Sequence, residues 1–438
     1  MPVNMMSLCR YAVLFYVGLM LPGCGGGSTS GPAQIDIGQA PPIAPPTGEL
    51  SVDTYAYIAD SPYASVLEGC RYSTADPNTV CGHGELPYLG QVSGNPSIDE
   101  VMARVLVSHD WMGDNLRDVL QQMPADVLLL MRSVKSIVVA ADVRPARFWV
   151  GRIYIDPEFL WLTPDEKNTI VEQDDFRSNF GDSLAFRIPH RYVRNGERLA
   201  IREFADGSRN ISDLMPVLGV VLYHELAHAL DQMPIERLPT LSPDDVPFYG
   251  PYLSSEWSVN FPMAGATPYE DLLLYRLAQV RYGGEEASDE LRSVRPLDLM
   301  EPLGMQGATR FYSYSGQFED FASAFETAMM EYHFGYRDEV AITDNLSDSV
   351  EHAAVFWGQR GRIGEQQVYV RILGVMRTIY PGDLDAVEAH IGGLPPAQDM
   401  PTGVSWSDSI EPGESEQQQK IATVTWKFDD ILARRPIQ

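Results

Sequence analysis

The chain has 438 residues, of which 45% are hydrophobic, and a formal net charge of −28 at neutral pH. This charge argues against nucleic acid as a partner and against adhesion of the protein body to anionic lipid, because both are themselves negatively charged. The hydrophobic content supports a folded core, and the roughly 390 residues that remain after an N-terminal leader and tether are enough for one elaborated domain or two subdomains.

The N-terminus has the pattern of an export signal. Arg10 precedes an apolar stretch, Tyr11–Leu21, that is too short to span a bilayer, and the stretch ends in Leu-Pro-Gly-Cys24. Residues 1–23 therefore resemble a bacterial lipoprotein signal peptide. The resemblance implies that Cys24 is lipidated and becomes the mature N-terminus, and Gly25 favours the outer membrane. We expect the lipid to be the protein's contact with the membrane.

Residues 24–50 predict a flexible tether, because they are rich in Gly, Ser and Pro and lack the apolar content of a core. Cys9 is removed with the signal peptide. The two remaining cysteines, Cys70 and Cys81, enclose a polar loop, and an oxidising compartment favours a disulfide between them. Two reduced cysteines in the core are the alternative.

The N-terminal half of the body predicts helices followed by strands. Apolar residues fall at helical spacing over residues 98–131, and Pro124 divides this segment into two helices. Residues 136–141 and 148–156 are rich in β-formers. Residues 192–201 carry an Asn-Gly pair that is typical of a tight hairpin. The edge strand of such a sheet can pair with an extended peptide, and the sequence leaves open which strand that is.

The segment that carries the chemistry is His224-Glu225-Leu-Ala-His228, an HExxH motif inside an apolar run. Helical spacing places both histidines on one face, where two neutral imidazoles can bind one zinc ion. Glu225 then lies beside the metal, where it can accept a proton from the zinc-bound water. Such a site hydrolyses peptide bonds. The alternative is a core helix with two hydrogen-bonded histidines, which is costly without a metal.

The limits of this helix are also predicted. Ser212 or Asp213 can cap its N-terminus, and Pro216 fits the first turn. Pro234 ends the helix soon after the motif.

A zinc site of this type needs a third protein ligand, and Glu319 is the best candidate. It lies in a helical apolar pattern that includes Phe318, Phe321 and Phe325. A glutamate before an aromatic-Ala-x-x-Phe run, on a helix that follows HExxH-x-x-Asp, resembles the glutamate-zincins of the anthrax lethal factor and Pro-Pro endopeptidase type. The resemblance covers about 120 residues. It implies Glu319 as third ligand and Tyr312, seven residues earlier, as the oxyanion-stabilising residue.

The chain departs from that family in three ways. The distance from His228 to Glu319 is longer than usual, which indicates an insertion over residues 229–318. Residues around 247–257 are interpreted as a lid or a pocket wall, and a helix is expected near 269–282. Ser323 stands where a second acidic residue is common, and Asp320 replaces an aromatic residue.

Other residues are alternatives for these roles. Asp231 is either a ligand, as in aspartate-zincins, or a carboxylate that orients a neighbour. Glu326 lies seven residues after Glu319 on the same face and is the second choice of ligand. Tyr314 is the substitute for Tyr312. His333 and His352 are expected to be ordinary histidines.

The C-terminal part predicts further helices at 349–357 and 366–378 and a final strand at 420–428. We therefore expect an α+β, zincin-like domain over residues 51–393, with a mixed sheet, an active-site helix and a mainly helical C-terminal part. Residues 51–211 would supply the N-terminal helices and sheet, and 212–393 the HExxH helix and the helical part. Residues 394–438 would form a tail.

The expected activity is hydrolysis of a protein or peptide substrate by an envelope-anchored zinc metallopeptidase. A non-catalytic surface lipoprotein that uses the same scaffold for binding is the alternative from another class. Glu225 argues against it, because a structural metal site does not need that carboxylate. A metal-dependent hydrolase of a peptidoglycan stem peptide, or of another substrate that is not a protein, is a further alternative.

Overall fold

The computed structural model describes residues 50–70, 81–172, 179–244 and 272–410. The predicted signal peptide, Cys24, the tether, the possible lid around 247–257 and the terminal strand at 420–428 lie outside these ranges.

The helices of the described residues are α1 (Ala64–Gly69), α2 (Leu89–Val92), α3 (Ile98–Met102), α4 (Asp110–Gln122), α5 (Asp126–Leu130), α6 (Pro164–Lys167), α7 (Ile211–Gln232), α8 (Leu272–Tyr282), α9 (Asp289–Arg292), α10 (Met300–Met305), α11 (Gln317–Phe334), α12 (Gln366–Ile379) and α13 (Leu384–Gly392). The strands are β1 (Tyr55–Ala56), β2 (Val105–Val107), β3 (Ser136–Val139), β4 (Arg147–Trp149), β5 (Arg152–Ile155), β6 (Phe186–Arg187), β7 (His190–Arg194), β8 (Glu197–Arg198), β9 (Arg337–Asp344), β10 (Val355–Arg360) and β11 (Gln398–Asp399). The chain is therefore of the α+β class.

The strands form two sheets. The first has the order β1-β2-β3-β5-β4, with β2, β3 and β5 parallel and β4 antiparallel to β5 at one edge. The second has the order β11-β10-β9-β7-β8, with β6 also paired to β9, and its neighbouring strands are antiparallel. The first sheet is thus the mixed sheet, and β4 is the strand at its edge nearest the HExxH helix.

Two long helices lie between the sheets. Helix α7 contacts β4 and β5 of the first sheet, α11 contacts β9 of the second, and the two helices contact each other. Every residue of α7 from Pro216 to Gln232 is buried, as expected for a core helix that is apolar on all faces. Gly219 permits the close approach, because a Cβ there would lie 2.9 Å from Phe334 and 3.3 Å from Met330.

Several element predictions are confirmed. Strand β3, the helix that carries Glu319 and the helix at 366–379 lie where the patterns placed them. Helix α8 occupies the predicted segment near 269–282, and α4 and α5 are separated at Pro124. The Asn195-Gly196 hairpin joins β7 to β8, with positive φ at both turn residues.

Other predictions are wrong, mainly for short apolar segments whose period is ambiguous. Val105–Val107 is a strand and not part of a helix. The predicted strand at 148–156 is the β4–β5 hairpin, which turns at Val150 and Gly151 with positive φ. Residues 349–357 form a short 3₁₀ turn followed by β10.

The mainly helical C-terminal part also needs correction, because β9 and β10 lie within it and build the second sheet. Residues expected in a separate tail pack against this sheet. Gln398 and Asp399 pair with β10, and the Trp406 ring lies 3.7 Å from the Arg191 guanidinium.

The start of the HExxH helix differs from the prediction as well. Asn210, not Ser212 or Asp213, caps α7, and its side chain accepts a hydrogen bond from the backbone N–H of Asp213. Pro216 therefore lies two or three residues further into the helix than predicted, where its missing N–H leaves the carbonyl of Ser212 without the usual intrahelical donor.

Candidate metal centre

The two histidines of the motif lie on one face of α7, as their spacing predicts. Their ring centroids are 4.8 Å apart, with the ring planes inclined at 74°. His224 is fully buried and His228 is 6% exposed. Helix α7 therefore holds both imidazoles in the interior, next to α11.

Helix α11 brings Glu319 to the same point. Glu319 Oε2 lies 2.9 Å from His224 Nε2 and 3.6 Å from His228 Nε2. One nitrogen from each histidine and one Glu319 oxygen all lie within 4.8 Å of one another. Donors about 2.1 Å from a shared tetrahedral zinc ion would be separated by roughly 3.4 Å. The two distances from Glu319 Oε2 lie on either side of this value, so the three side chains form a group that could hold a metal ion.

The hydrogen bonding around His224 is compatible with a metal ligand. Nδ1 lies 2.9 Å from Glu326 Oε2, while Nε2 lies 2.9 Å from Glu319 Oε2. A neutral imidazole has one N–H, so it can donate to only one of these carboxylates. If Nδ1 donates to Glu326, lone pairs face each other between Nε2 and Glu319, and a cation between them would relieve the repulsion.

The electrostatics of Glu319 suit a ligand. Burial acts to raise its pKa, but the charge and hydrogen bonds of His228 and His224 outweigh burial and hold the pKa well below its ordinary value. In the site without a metal, the two histidines thus supply the positive charge that keeps the Glu319 carboxylate ionised, a role that a bound cation would take over.

Glu326 lies behind His224 and not beside the other ligand atoms. Its side chain is fully buried, and its oxygens accept hydrogen bonds from Arg310 and from the Tyr192 hydroxyl. The Oε1 atom is 3.1 Å from Arg310 Nη1 and 3.1 Å from Tyr192 Oη. Sequence analysis missed Arg310 and Tyr192, since neither lies in a recognisable motif.

Asp231, the other alternative ligand, is buried near the C-terminal end of α7. Within the described ranges, the group of ligand atoms at the site contains His224, His228 and Glu319, and neither Asp231 nor Glu326.

Glu225 faces the first sheet. It is 1% exposed, and it interacts electrostatically with Arg147 on the edge strand β4. Burial lowers the pKa of Arg147, whereas Tyr154 and Glu225 act to raise it. The guanidinium is held further by the Tyr154 ring, whose centroid lies 4.4 Å away. Arg147 is a third residue near the site that no sequence motif indicated.

The two candidate tyrosines have different surroundings. Tyr312 lies in a 3₁₀ helix, Phe311–Ser315, and its ring centroid is 6.2 Å from that of His224 and 5.0 Å from that of Tyr282. Tyr314 is also buried, but it packs on Phe311 and interacts electrostatically with Arg362. The 3₁₀ helix therefore brings the Tyr312 ring near the His224 ring.

The residues that depart from the family pattern are buried beside the site. Asp320 forms a close ion pair with Arg371 on α12, and this contact ties α11 to α12 next to Glu319. Ser323 is fully buried, and its carbonyl accepts a hydrogen bond from the Thr327 hydroxyl.

The remaining sequence-based candidates lie elsewhere. Cys70 and Cys81 form a disulfide with a Cα–Cα distance of 5.5 Å. His333 Nε2 donates a 2.7 Å hydrogen bond to the Asp126 carboxylate. His352 ends a short 3₁₀ turn.

None of the helices in the described ranges is both long enough and apolar enough to cross a membrane. No known protein family, curated protein or solved structure matches the chain.

Proposed function

We propose that this protein is a zinc-dependent peptidase, lipid-anchored at Cys24 to a bacterial envelope membrane. The observation that carries the proposal is the convergence of Glu319 with His224 and His228. Glu225 follows His224 directly in the HExxH sequence of the same helix. Three protein ligands leave one position of a tetrahedral zinc ion open, which is typical of a catalytic site and not of a structural one.

The donor set fits zinc by its chemistry. Two imidazole nitrogens and one carboxylate oxygen are its ordinary ligands in hydrolases. A zinc ion held by these side chains would acidify a bound water to a pKa of about 7 and polarise a scissile carbonyl.

The residues of the chain supply the remaining roles. Glu225 accepts the proton of the attacking water and then passes it to the departing amine nitrogen. Glu225 is buried on α7, so this carboxylate lies in an environment of low dielectric constant. Arg147 contributes a positive charge close to Glu225.

Tyr312 donates a hydrogen bond to the carbonyl oxygen as it becomes negative. Its ring lies next to His224, which is where such a donor is needed. Strand β4 provides a place for the substrate backbone, because in the described residues it pairs with β5 on one side alone. An extended peptide that adds to this edge would run past the HExxH helix.

Glu225→Gln is the variant that tests the proposal. We expect it to bind zinc nearly as the parent does and to lose peptide hydrolysis, because the amide cannot accept the proton of the water. The measurements are elemental analysis of the purified protein and mass spectrometry of a peptide library before and after incubation.

The outcomes separate the candidate functions. Zinc binding with no cleavage by the parent protein would favour a non-catalytic binding role. Cleavage of peptidoglycan stem peptides, with no cleavage of the library, would redirect the substrate assignment. A parent protein that binds no zinc at neutral pH contradicts the proposal as a whole.

A further inference from the structure

Behind the metal centre lies a buried chain of polar contacts that runs from Arg310 through Glu326 to His224. Arg310 is 1% exposed and Glu326 is fully buried. Both guanidinium Nη atoms of Arg310 donate to the two carboxylate oxygens of Glu326, one to each oxygen. The oxygen that receives Nη2 is the one that lies 2.9 Å from His224 Nδ1.

The spacing along α11 explains this arrangement. Glu319 and Glu326 are seven residues apart, which is about two helical turns, so they share a face and are separated by roughly 10 Å along the axis. The His224 ring fits between them, with Nε2 towards Glu319 and Nδ1 towards Glu326. One helix therefore supplies both a candidate ligand and the carboxylate on the other side of the same imidazole.

We propose that Arg310 is a positioning residue of the metal centre. It fixes Glu326 as a hydrogen-bond acceptor, Glu326 then holds the proton of His224 on Nδ1, and the lone pair of Nε2 is left facing the zinc position. The inference rests on the proposed function in that it takes zinc as the bound ion. Carboxylates that accept from a metal-ligating histidine set its tautomer and ring orientation in this way.

Arginine suits this positioning role better than lysine. A planar guanidinium offers parallel N–H groups that match both oxygens of a carboxylate, so it restrains the rotation of Glu326. A lysine would offer one point charge. The Tyr192 hydroxyl on β7 is a second donor to Oε1, so groups outside α11 hold the carboxylate from two sides.

Arg310 also connects this network to Tyr312. It is the residue at the N-terminus of the 3₁₀ helix Phe311–Ser315, and its carbonyl accepts a hydrogen bond from the Ser313 N–H. The ion pair that orients His224 thus anchors the same segment that places Tyr312 near the His224 ring. Loss of Arg310 should disturb both.

The neighbouring groups leave Arg310 charged. Burial acts to lower its pKa, but Glu326, Tyr192 and Asp338 outweigh burial and raise it. His190 is close by, and burial together with Arg310 lowers its pKa well below the ordinary value, so this histidine stays neutral.

The test measures zinc affinity in the full-length protein by competition with a chromophoric chelator, using zinc alone. We expect Arg310→Met and Glu326→Gln each to weaken zinc binding by about 10- to 100-fold. The double variant should bind zinc only slightly less tightly than the weaker-binding single variant, because both changes remove the same Arg310–Glu326–His224 interaction. Arg310→Lys should recover part of the loss.

The matched control is Arg191→Met. Arg191 is an equally buried arginine whose Nε lies 2.6 Å from Glu339 Oε2, and on β7 it faces the opposite side from Tyr192. If burial of an arginine–glutamate pair were all that mattered, both Met variants would lose zinc affinity equally. We expect Arg191→Met to keep the parent's zinc affinity even where its melting temperature falls.

A second measurement reports the tautomer directly. In zinc-loaded protein labelled with ¹⁵N-histidine, the proton of His224 should be on Nδ1, and this signal should weaken or exchange faster in Arg310→Met. A folded Arg310→Met protein with the parent's zinc affinity and the parent's His224 signal overturns the inference. If that variant does not fold, Arg310→Lys and Glu326→Gln decide it in the same assays. Absence of zinc binding in the parent would instead contradict the proposed function.

Discussion

Glu326 Oε2 lies 2.9 Å from His224 Nδ1, on the opposite side of the imidazole from Glu319. This relationship assigns different positions to two glutamates that share one face of α11. Glu319 lies within reach of both histidines, with which it could hold a metal, and Glu326 contacts His224 from the other side.

Replacement of Glu319 by alanine should weaken zinc binding strongly. Loss of a residue that hydrogen-bonds to a metal ligand typically costs about 10- to 100-fold in metal affinity, and loss of Glu319 should cost more. The reason is that the Glu319 carboxylate is the one that approaches both His224 and His228. Asp231→Ala should change zinc affinity little. Chelator competition on both purified variants measures this, and loss of zinc from Asp231→Ala alone would show that the third ligand is wrongly assigned.

Tyr312→Phe should lower kcat by about 10²- to 10³-fold, because it removes a hydrogen-bond donor that acts in the transition state. KM and zinc content should change little. The matched control is Tyr314→Phe, two residues away in the same 3₁₀ helix, which should be nearly silent because Tyr314 packs on Phe311. Steady-state kinetics on a cleaved peptide decide between the two, and the reverse result would show that the resemblance is out of register here.

Lys135 should make stability depend on pH in the alkaline range. Burial lowers its pKa to about 7, with further lowering by Arg104 and Arg152, from an ordinary value of 10.5. Below pH 7 the folded protein carries a buried charge, and above pH 10.5 the lysine is neutral in both states. The free energy of unfolding should therefore rise between these limits, by up to about 5 kcal/mol.

The Lys135→Met variant has no ionisable group at this position, so it lacks the pH-dependent part of the stability. It also loses the hydrogen bond from Nζ to the Cys81 carbonyl. Urea unfolding of both proteins at pH 6.5, 8.5 and 10 gives the stability difference between them. We expect the parent to gain several kcal/mol relative to the variant across this range. A difference that does not vary with pH would contradict the lowered pKa.

Cys24→Ser should release the protein from the membrane fraction or stall its processing, because the lipid is the expected anchor. Mass spectrometry of the mature N-terminus checks this directly. A free terminus at another residue would indicate an ordinary secreted protein. Since Cys24 lies outside the described residues, this prediction depends on the sequence alone.

The sequence by itself determined the local part of the site. Four-residue spacing in an apolar helix is sufficient to put His224 and His228 on one face, because helical geometry does not depend on what packs around it. The same holds for the helix of Glu319 and for the Asn195-Gly196 turn. Short buried strands such as Val105–Val107 were not predicted, because three consecutive apolar residues show no periodicity that separates a strand from a helix.

The tertiary structure decided which distant residues meet. The sequence offered Glu319, Asp231 and Glu326 as ligands, and the packing of α7 on α11 places Glu319 next to both histidines and Glu326 behind His224. Arg310 and Arg147 lie near the site although they belong to other segments of the chain, and no sequence motif indicated either residue. Such contacts join segments far apart in the chain, and they arise from packing of whole helix and sheet faces, which local spacing cannot encode.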